Sequence, residues 1–374
     1  MTMNSSAKGT ALEFIRKPVI ELSTSALTAN LQQVRALAPS SKVVSMVKAD
    51  AYGHGIAFAL SALASTDAFG VACIQEARQI RALGYKQPIT LIEGVFSESE
   101  WLEASENGYD CVIHQQQQIE WALKYPVLFQ RHGLKIWLKL NSGMNRLGLS
   151  ADQLFVAAQH LRQVGFKLVL TMHFANADQP EHPLNQQQID SFLQLKQQLS
   201  PIEASCCNSA AIYNWPELHF DYVRPGIMLY GSSPFANISA VQLDLQPVMR
   251  FKSRIMAIQH LTANECVGYG STYKTTRPTR LGIVAVGYGD GYPRALSTGV
   301  FVSINGQAAP ILGRVSMDLM AIDLTDFTDN VTIGQCVELW GNYPEVDQLA
   351  QYNHTIGYEL LCRLTTRPIR VIVE

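Results

Sequence analysis

Charge and paired cysteine are both scarce in this 374-residue chain. Charged residues make up 16% and the formal net charge is −2, so no sequence-independent affinity for nucleic acid is expected. The seven cysteines are Cys73, Cys111, Cys206, Cys207, Cys266, Cys336 and Cys362, an odd count with no CxxC pair. That argues against a zinc site or a disulfide framework and fits free, mostly buried thiols in a reducing cytosol. Cys206 and Cys207 fall in what reads as a strand, which would point their side chains to opposite faces. No stretch reaches ~18 apolar residues, so no membrane span is expected. Residues 1–13 lack a signal-peptide core, and the expected location is the cytoplasm. There is no P-loop and no low-complexity tract. Gly287, Gly289 and Gly291 imitate a dinucleotide fingerprint but lack the GxGxxG spacing and open no helical pattern.

What the chain has is apolar mass, 47% of residues, enough for a large core. Its length suits two domains, or a barrel with an appendage. One segment stands out. Val43, Val44, Ser45, Met46 and Val47 read as a short buried strand, and Lys48 follows at its end. Ala49-Asp50-Ala51-Tyr52-Gly53-His54-Gly55 comes next, a loop able to fold its backbone around an anion. A primary amine beside a phosphate cradle is what a Schiff-base cofactor requires. A lone lysine capping a strand is more often merely solvated, so the rest of the chain must decide.

Strand-length apolar runs recur at 43–47, 69–74, 89–93, 110–114, 136–140, 168–173, 204–207 and 222–228. Stretches with helical spacing lie between most of them, among them 75–83, 116–124, 151–164 and 186–199. Eight strands alternating with helices predict an α/β fold, a (β/α)8 TIM-like barrel over residues 13–238. From 239 to 374 the character changes. Runs at 248–258, 279–286, 299–304, 311–313, 319–323 and 335–340 are β-branched and aromatic, and Gly, Pro, Asn and Asp separate them. A mostly-β second domain is expected there. The opening segment 11–22 also looks extended and could join that sheet, and residues 1–12 can join the second domain.

Barrel chemistry gathers at the C-terminal ends of the strands. Those positions read Lys48, Lys139 through Arg146, His173, Asn208-Ser209, and Arg224 through Ile227. Singly each has a bland reading, His173 as a core histidine and Arg224 as a loop cation. Together at one end they point to a site, with a phosphate expected at Ser209 and Gly226-Ile227, after the seventh and eighth strands. The second domain adds three polar loops, around Tyr269, around Tyr288 to Arg294, and at Arg314 to Asp318.

These motifs resemble the alanine racemase family over nearly the whole chain. They stand here as Val47 to Gly55, Asn141-Ser142-Gly143-Met144-Asn145-Arg146-Leu147-Gly148, Met172-His173-Phe174-Ala175 and Asn208-Ser209-Ala210-Ala211. Val223-Arg224-Pro225-Gly226-Ile227, Val267-Gly268-Tyr269-Gly270, Ser316-Met317-Asp318 and Gly357-Tyr358-Glu359 complete the set. The resemblance implies a pyridoxal 5′-phosphate enzyme that interconverts L- and D-alanine, working as a head-to-tail homodimer with no metal. Its wording is nearest the catabolic branch of the family. The resemblance also assigns roles. Lys48 carries the cofactor as a Schiff base and is one base; Tyr269 of the other subunit is the second. Arg224 faces the pyridine nitrogen, with His173 stacked nearby and coupled to Tyr269. Tyr52, Ser209, Gly226, Ile227 and Tyr358 hold the phosphate. Arg146 approaches the ring oxygen and the substrate carboxylate, and Met317 offers its backbone N–H. Tyr288, Arg294, Arg314, Ile356 and Asp178 match the entrance, with Lys139 and Asp318 behind the site. Two residues depart from the pattern: Asp50 stands where the family more often has Asn, and Asn141 where many members have Asp. Lys139 matches a lysine that many members carbamylate.

Racemisation removes the α-proton from one face and returns one to the other, so two bases must flank a planar intermediate. A tyrosine, with pKa normally ~10, serves only beside a cation, and a His173–Arg224 pair can supply it. An arginine at the ring nitrogen keeps its proton, which weakens the electron sink and disfavours transamination. Two rivals remain. A decarboxylase on the same fold would place an acid at the ring nitrogen and a catalytic cysteine in the second domain. A non-catalytic cofactor carrier would need the barrel alone.

Overall fold

The computed structural model describes residues 18–126, 132–294 and 299–374. The expected extension over 11–17 and the segment 1–12 lie outside them. The chain divides into two compact units. One is Ser25–Gln246; the other joins the described residues up to Thr24 with Pro247–Glu374.

The first unit holds eight parallel strands: β2 (Lys42–Met46), β3 (Ala68–Val71), β4 (Ile89–Leu91), β5 (Tyr109–Ile113), β6 (Lys135–Lys139), β7 (Lys167–Thr171), β8 (Glu203–Ser205) and β9 (Tyr222–Val223). Their order is β8-β7-β6-β5-β4-β3-β2-β9, each pair parallel and in sequence order except that β2 also pairs β9. Asp221 N–H to Ala204 O (3.2 Å) and Arg224 N–H to Cys207 O (2.9 Å) bring β9 against β8, so the sheet closes on itself.

Alternation along each strand sorts the interior into layers. Val44, Ala68, Val112, Trp137, Val169 and Tyr222 pack as one buried layer. Trp137 is 1% exposed, and truncating such a side chain to alanine costs about 3–5 kcal/mol. Two residues further on, at the C-terminal ends, stand Lys139, Thr171 and Arg224, with Ser205 paired to Thr171. Two residues back stand Lys42, Asp110 and Lys135.

The helices follow the expected spacing. Ser150 and Gln153 form a capping box on Ala151–Gln163. The helix expected from 186 starts earlier, at Pro183, because His182 caps it and proline suits the first turn. Several strands are shorter than the apolar runs suggested, and the last two matter for the site. The last covers only Tyr222–Val223; Pro225 and Gly226 end it and Ile227–Tyr230 turns into a 3-10 helix. The seventh ends at Ser205, so Cys206 and Cys207 lie beyond it. Their sulfurs sit 3.9 Å apart, both near the Leu218 carbonyl, rather than on opposite faces.

The boundary expected at residue 13 also moves. β1 (Val19–Ser23) pairs antiparallel with β10 (Met249–Leu261) and parallel with Ile369–Val373. These are strands of the second unit, and β1 belongs to that sheet, not to the barrel. β10 is its spine and also pairs Thr279–Val284 and Cys336–Trp340. The strand expected at 311–313 is a single bridge, Ile311 to Ile322. Gln307–Pro310 and Ile369–Val373 are strands that the apolar pattern did not announce. Among the described residues no helix is long and apolar enough to cross a membrane.

Candidate active site

Lys48 opens a one-turn helix, Lys48–Tyr52, just past β2. Ala49, Asp50, Ala51 and Tyr52 have φ of 54°, 51°, 55° and 53°. A left-handed turn costs an L-residue roughly 1–2 kcal/mol, so four in a row need support. Glu76 supplies part of it: Oε1 accepts the Ala49 N–H (2.7 Å) and Oε2 the Ala72 N–H (2.8 Å). Gly53 N–H bonds Ala49 O (3.0 Å) and Gly55 N–H bonds Asp50 O (2.9 Å). Asp50 Oδ1 accepts the Ile56 N–H at 2.8 Å, at the start of helix Ile56–Ala62. Asp50 therefore works as an acceptor, a role Asn could share, and its negative charge suits a helix N-terminus. The Lys48 amine is partly exposed and stands 3.7 Å from Glu93 Oε1.

Arg224 follows β9 and is 6% exposed. Its Nη1 donates to Thr171 Oγ1 (3.1 Å) and Ser205 Oγ (2.5 Å), and its Nη2 to Met172 O (2.7 Å) and Cys206 O (3.4 Å). Four acceptors at the C-terminal ends of two neighbouring strands fix the plane of the guanidinium. Around it the cations crowd. Burial, then Arg224, Arg146 and Lys48, lower the Lys139 amine to about 8, against a smaller upward pull from Glu93. Burial and then Arg224, Lys139, Arg146 and Lys48 push His173 well below the ordinary histidine range. That shift disfavours a charged His173, so within the expected His173–Arg224 pair the positive charge rests on Arg224.

Arg146 is exposed on a loop returned to the barrel by Leu149 N–H to Lys139 O (3.0 Å) and Asn141 N–H to Leu149 O (2.9 Å). Asn141 Oδ1 accepts the N–H groups of Gly143 (3.3 Å) and Asn145 (3.0 Å), while its Nδ2 donates to Asn145 Oδ1 (3.0 Å). An ionised Asp could make the first two bonds but not the third. Asp178 is exposed beyond β7.

Ser209 begins the helix Ser209–Asn214 after β8, and its Oγ accepts the N–H of Gly226 (2.9 Å). A Cβ at Gly226 would stand 2.4 Å from the Tyr52 hydroxyl oxygen, so the gap there requires glycine. Tyr52 stacks on Tyr230 with centroids 4.9 Å apart, and Tyr230 Oη donates to Met46 O (2.9 Å). Ser209, Gly226, Ile227 and Tyr52, distant in sequence, thereby line one notch.

In the second unit Tyr269 sits on the turn Tyr269–Ser271 and is 68% exposed. A Cβ at Gly270 would lie 3.1 Å from Arg314 Nη1, which places Arg314 against that turn. Gly289 N–H donates to Met317 O (2.8 Å) and Tyr288 N–H to Ser316 O (3.1 Å), joining two of the polar loops. Arg367 clamps them, with Nε 3.0 Å from Asp290 and Nη2 2.8 Å from Asp318. Arg294 is exposed. Ile356 caps the helix Gly357–Cys362, which carries the half-buried Tyr358.

Sequence reasoning missed Glu76, Glu93, Thr171, Ser205, Tyr230 and Arg367. The period-2 pattern could have found Thr171, two residues past the buried Val169, and its neighbour Ser205. Nothing local marks the others.

The family described as alanine racemase, N-terminal domain, matches residues 22–234, and the C-terminal domain of the same family matches 248–372. An alanine racemase of Psychrobacter sp. (strain PRwf-1) is 50% identical, with 96% of this chain and all of that protein covered. The solved alanine racemase of Acinetobacter baumannii is 55% identical, with TM-score 0.94 over 96% of this chain and 100% of that one. That of Bartonella henselae, solved with covalently bound pyridoxal phosphate, is 27% identical with TM-score 0.86 over 96% of this chain and 99% of that one. Matched in both units, and at such identity over nearly its whole length, the chain belongs to the alanine racemase family.

Proposed function

We propose that this chain interconverts L- and D-alanine with pyridoxal 5′-phosphate, using one base from the barrel and one from a second copy of the chain. The observation that carries the reading is the pairing of an amine, Lys48, with a clamped arginine, Arg224, at the ends of two adjacent strands. The residues present fit the cofactor. Four cations act on one small region, offset by Glu93, and the notch at Gly226 would be closed by any side chain. When bound, the cofactor supplies an electron sink that acidifies the substrate α-proton.

Lys48 holds the cofactor covalently and, once released, moves a proton at one face of the substrate Cα. Tyr269 does so at the other. Its exposure, with that of Met317 at 53% and Ile356 at 60%, supports a partner surface that completes the site in a homodimer. Arg224 holds its proton and stabilises the ring nitrogen without protonating it. His173 takes part as a neutral imidazole. Ser209, Tyr52, Gly226, Ile227 and Tyr358 hold the phosphate. Arg146 and the Met317 N–H bind the substrate carboxylate, with Lys139 and Asp318 behind them. Tyr288, Arg294, Arg314, Ile356 and Asp178 form the entrance. The protein works in the cytoplasm. A chiral assay of L-alanine with added cofactor tests the reading: D-alanine must form, and its absence overturns it.

A further inference from the structure

The barrel interior ends at its N-terminal side in a polar layer that the chemistry above does not use. A cavity of about 460 Å³ opens there, lined by Lys42, Arg81, Lys86, Thr90, Asp110 and the Lys135–Tyr222 pair among others. Thr90, on β4, is 1% exposed, and its buried hydroxyl has no hydrogen-bond partner among the described residues. Buried hydroxyls are nearly always bonded, so this one marks a place for a ligand atom.

The charges around it are unequal. Lys42 and Lys135 flank the Tyr222 ring, their amines 5.7 and 4.9 Å from its centroid. Lys135 is paired with Glu203. Lys42, Arg81 and Lys86 meet no carboxylate at ion-pair distance among the described residues, and Arg81 bonds only the carbonyls of Tyr85 (3.0 Å) and Gln87 (2.9 Å). The two acids at the cavity are engaged. Asp67 pairs with Arg35 at 3.1 Å, and Asp110 accepts from the Lys135 N–H (2.8 Å) and Trp137 Nε1 (3.4 Å). Burial also lifts the Asp110 carboxyl to about 6, so it stays mostly ionised at neutral pH and is held by those two donors.

We propose that this cavity binds a small polyanion, a molecule bearing phosphate or several carboxylates. Its oxygens accept from the Thr90 hydroxyl and lie among Lys42, Arg81 and Lys86. The apolar layer of Val44, Val112, Trp137, Val169 and Tyr222 separates it from Lys48 and Arg224, so such a ligand does not compete with alanine.

Calorimetric titration at constant ionic strength tests this, with pyrophosphate and, separately, citrate added to the full chain loaded with pyridoxal phosphate. At least one probe saturates a single site per chain, and which one does so identifies the anion class. Thr90→Val and Lys42→Met each weaken that binding by about tenfold, the loss of one hydrogen bond or ion contact to a charged ligand. Alanine KM is unchanged in both variants. Lys86→Gln, on an exposed side chain, weakens binding too and guards against a misfolded interior variant. Saturation by neither probe, wild-type affinity in all three variants, or competition with alanine overturns the proposal.

Discussion

Gly226→Ala is the sharpest test of the phosphate notch. Gly226 has φ of −118°, outside the left-handed region, so alanine brings no strain of that kind. The cost comes from contact. The new Cβ would meet Tyr52 Oη at 2.4 Å and Cζ at 3.1 Å, closer than real Cβ atoms approach oxygen. Tyr52 cannot simply swing aside, because it stacks on Tyr230 at 4.9 Å. Forcing an extra methyl into such a site costs about 1–3 kcal/mol. Should that fall on the cofactor complex, pyridoxal phosphate affinity drops roughly tenfold to hundredfold. Equilibrium dialysis followed by cofactor absorbance measures it. The clash also predicts coupling between the two positions. In a Tyr52→Phe background the oxygen is gone and the nearest ring carbon lies at 3.1 Å, so Gly226→Ala should cost measurably less there than alone. Wild-type affinity for Gly226→Ala, or strict additivity in the double variant, would refute the contact argument.

Borohydride should trap the cofactor on Lys48, read by peptide mapping; an adduct on Lys42 or Lys139 would sink the assignment. Lys48→Ala chains mixed with Tyr269→Phe chains should regain some activity through heterodimers carrying one intact site, whereas none at all would favour a site built within one subunit. Tyr269→Ala should lose about 10²–10⁴-fold in both directions with cofactor still bound, and wild-type turnover of L-alanine in deuterated water should put deuterium mainly in the D-product. Ser205→Ala, which leaves Arg224 Nη1 short of its 2.5 Å acceptor, should cost about 1–3 kcal/mol in denaturant unfolding. Lys139 binds its proton more weakly folded, at about 8, than unfolded, near 10.5, so the unfolded chain binds more protons between those values and stability rises with pH across them. Below pH 8 the full penalty of about 3 kcal/mol applies, so Lys139→Met should stabilise the fold more at pH 7 than at pH 10; equal gains would contradict it.

Much of the architecture was legible before any coordinates. Strand and helix periods are local, and eight alternations announced the barrel, while β-branched runs announced the second unit. The motifs drew attention to Lys48 and Arg224 because a lysine at a strand end, or Arg-Pro-Gly after one, is written in neighbouring residues. Partners distant in the chain were not legible. β1 reads as extended from its own residues, but pairing with β10, more than 200 residues on, decides which unit owns it. The Arg224 clamp depends on Thr171, 53 residues away, brought close by strand order. Ala49 to Tyr52 carry no glycine, so no local rule predicts a left-handed turn; Glu76 across the loop makes it tenable. The charge states of His173 and Lys139 follow from burial among other cations, and desolvation exists only once the chain has folded around them.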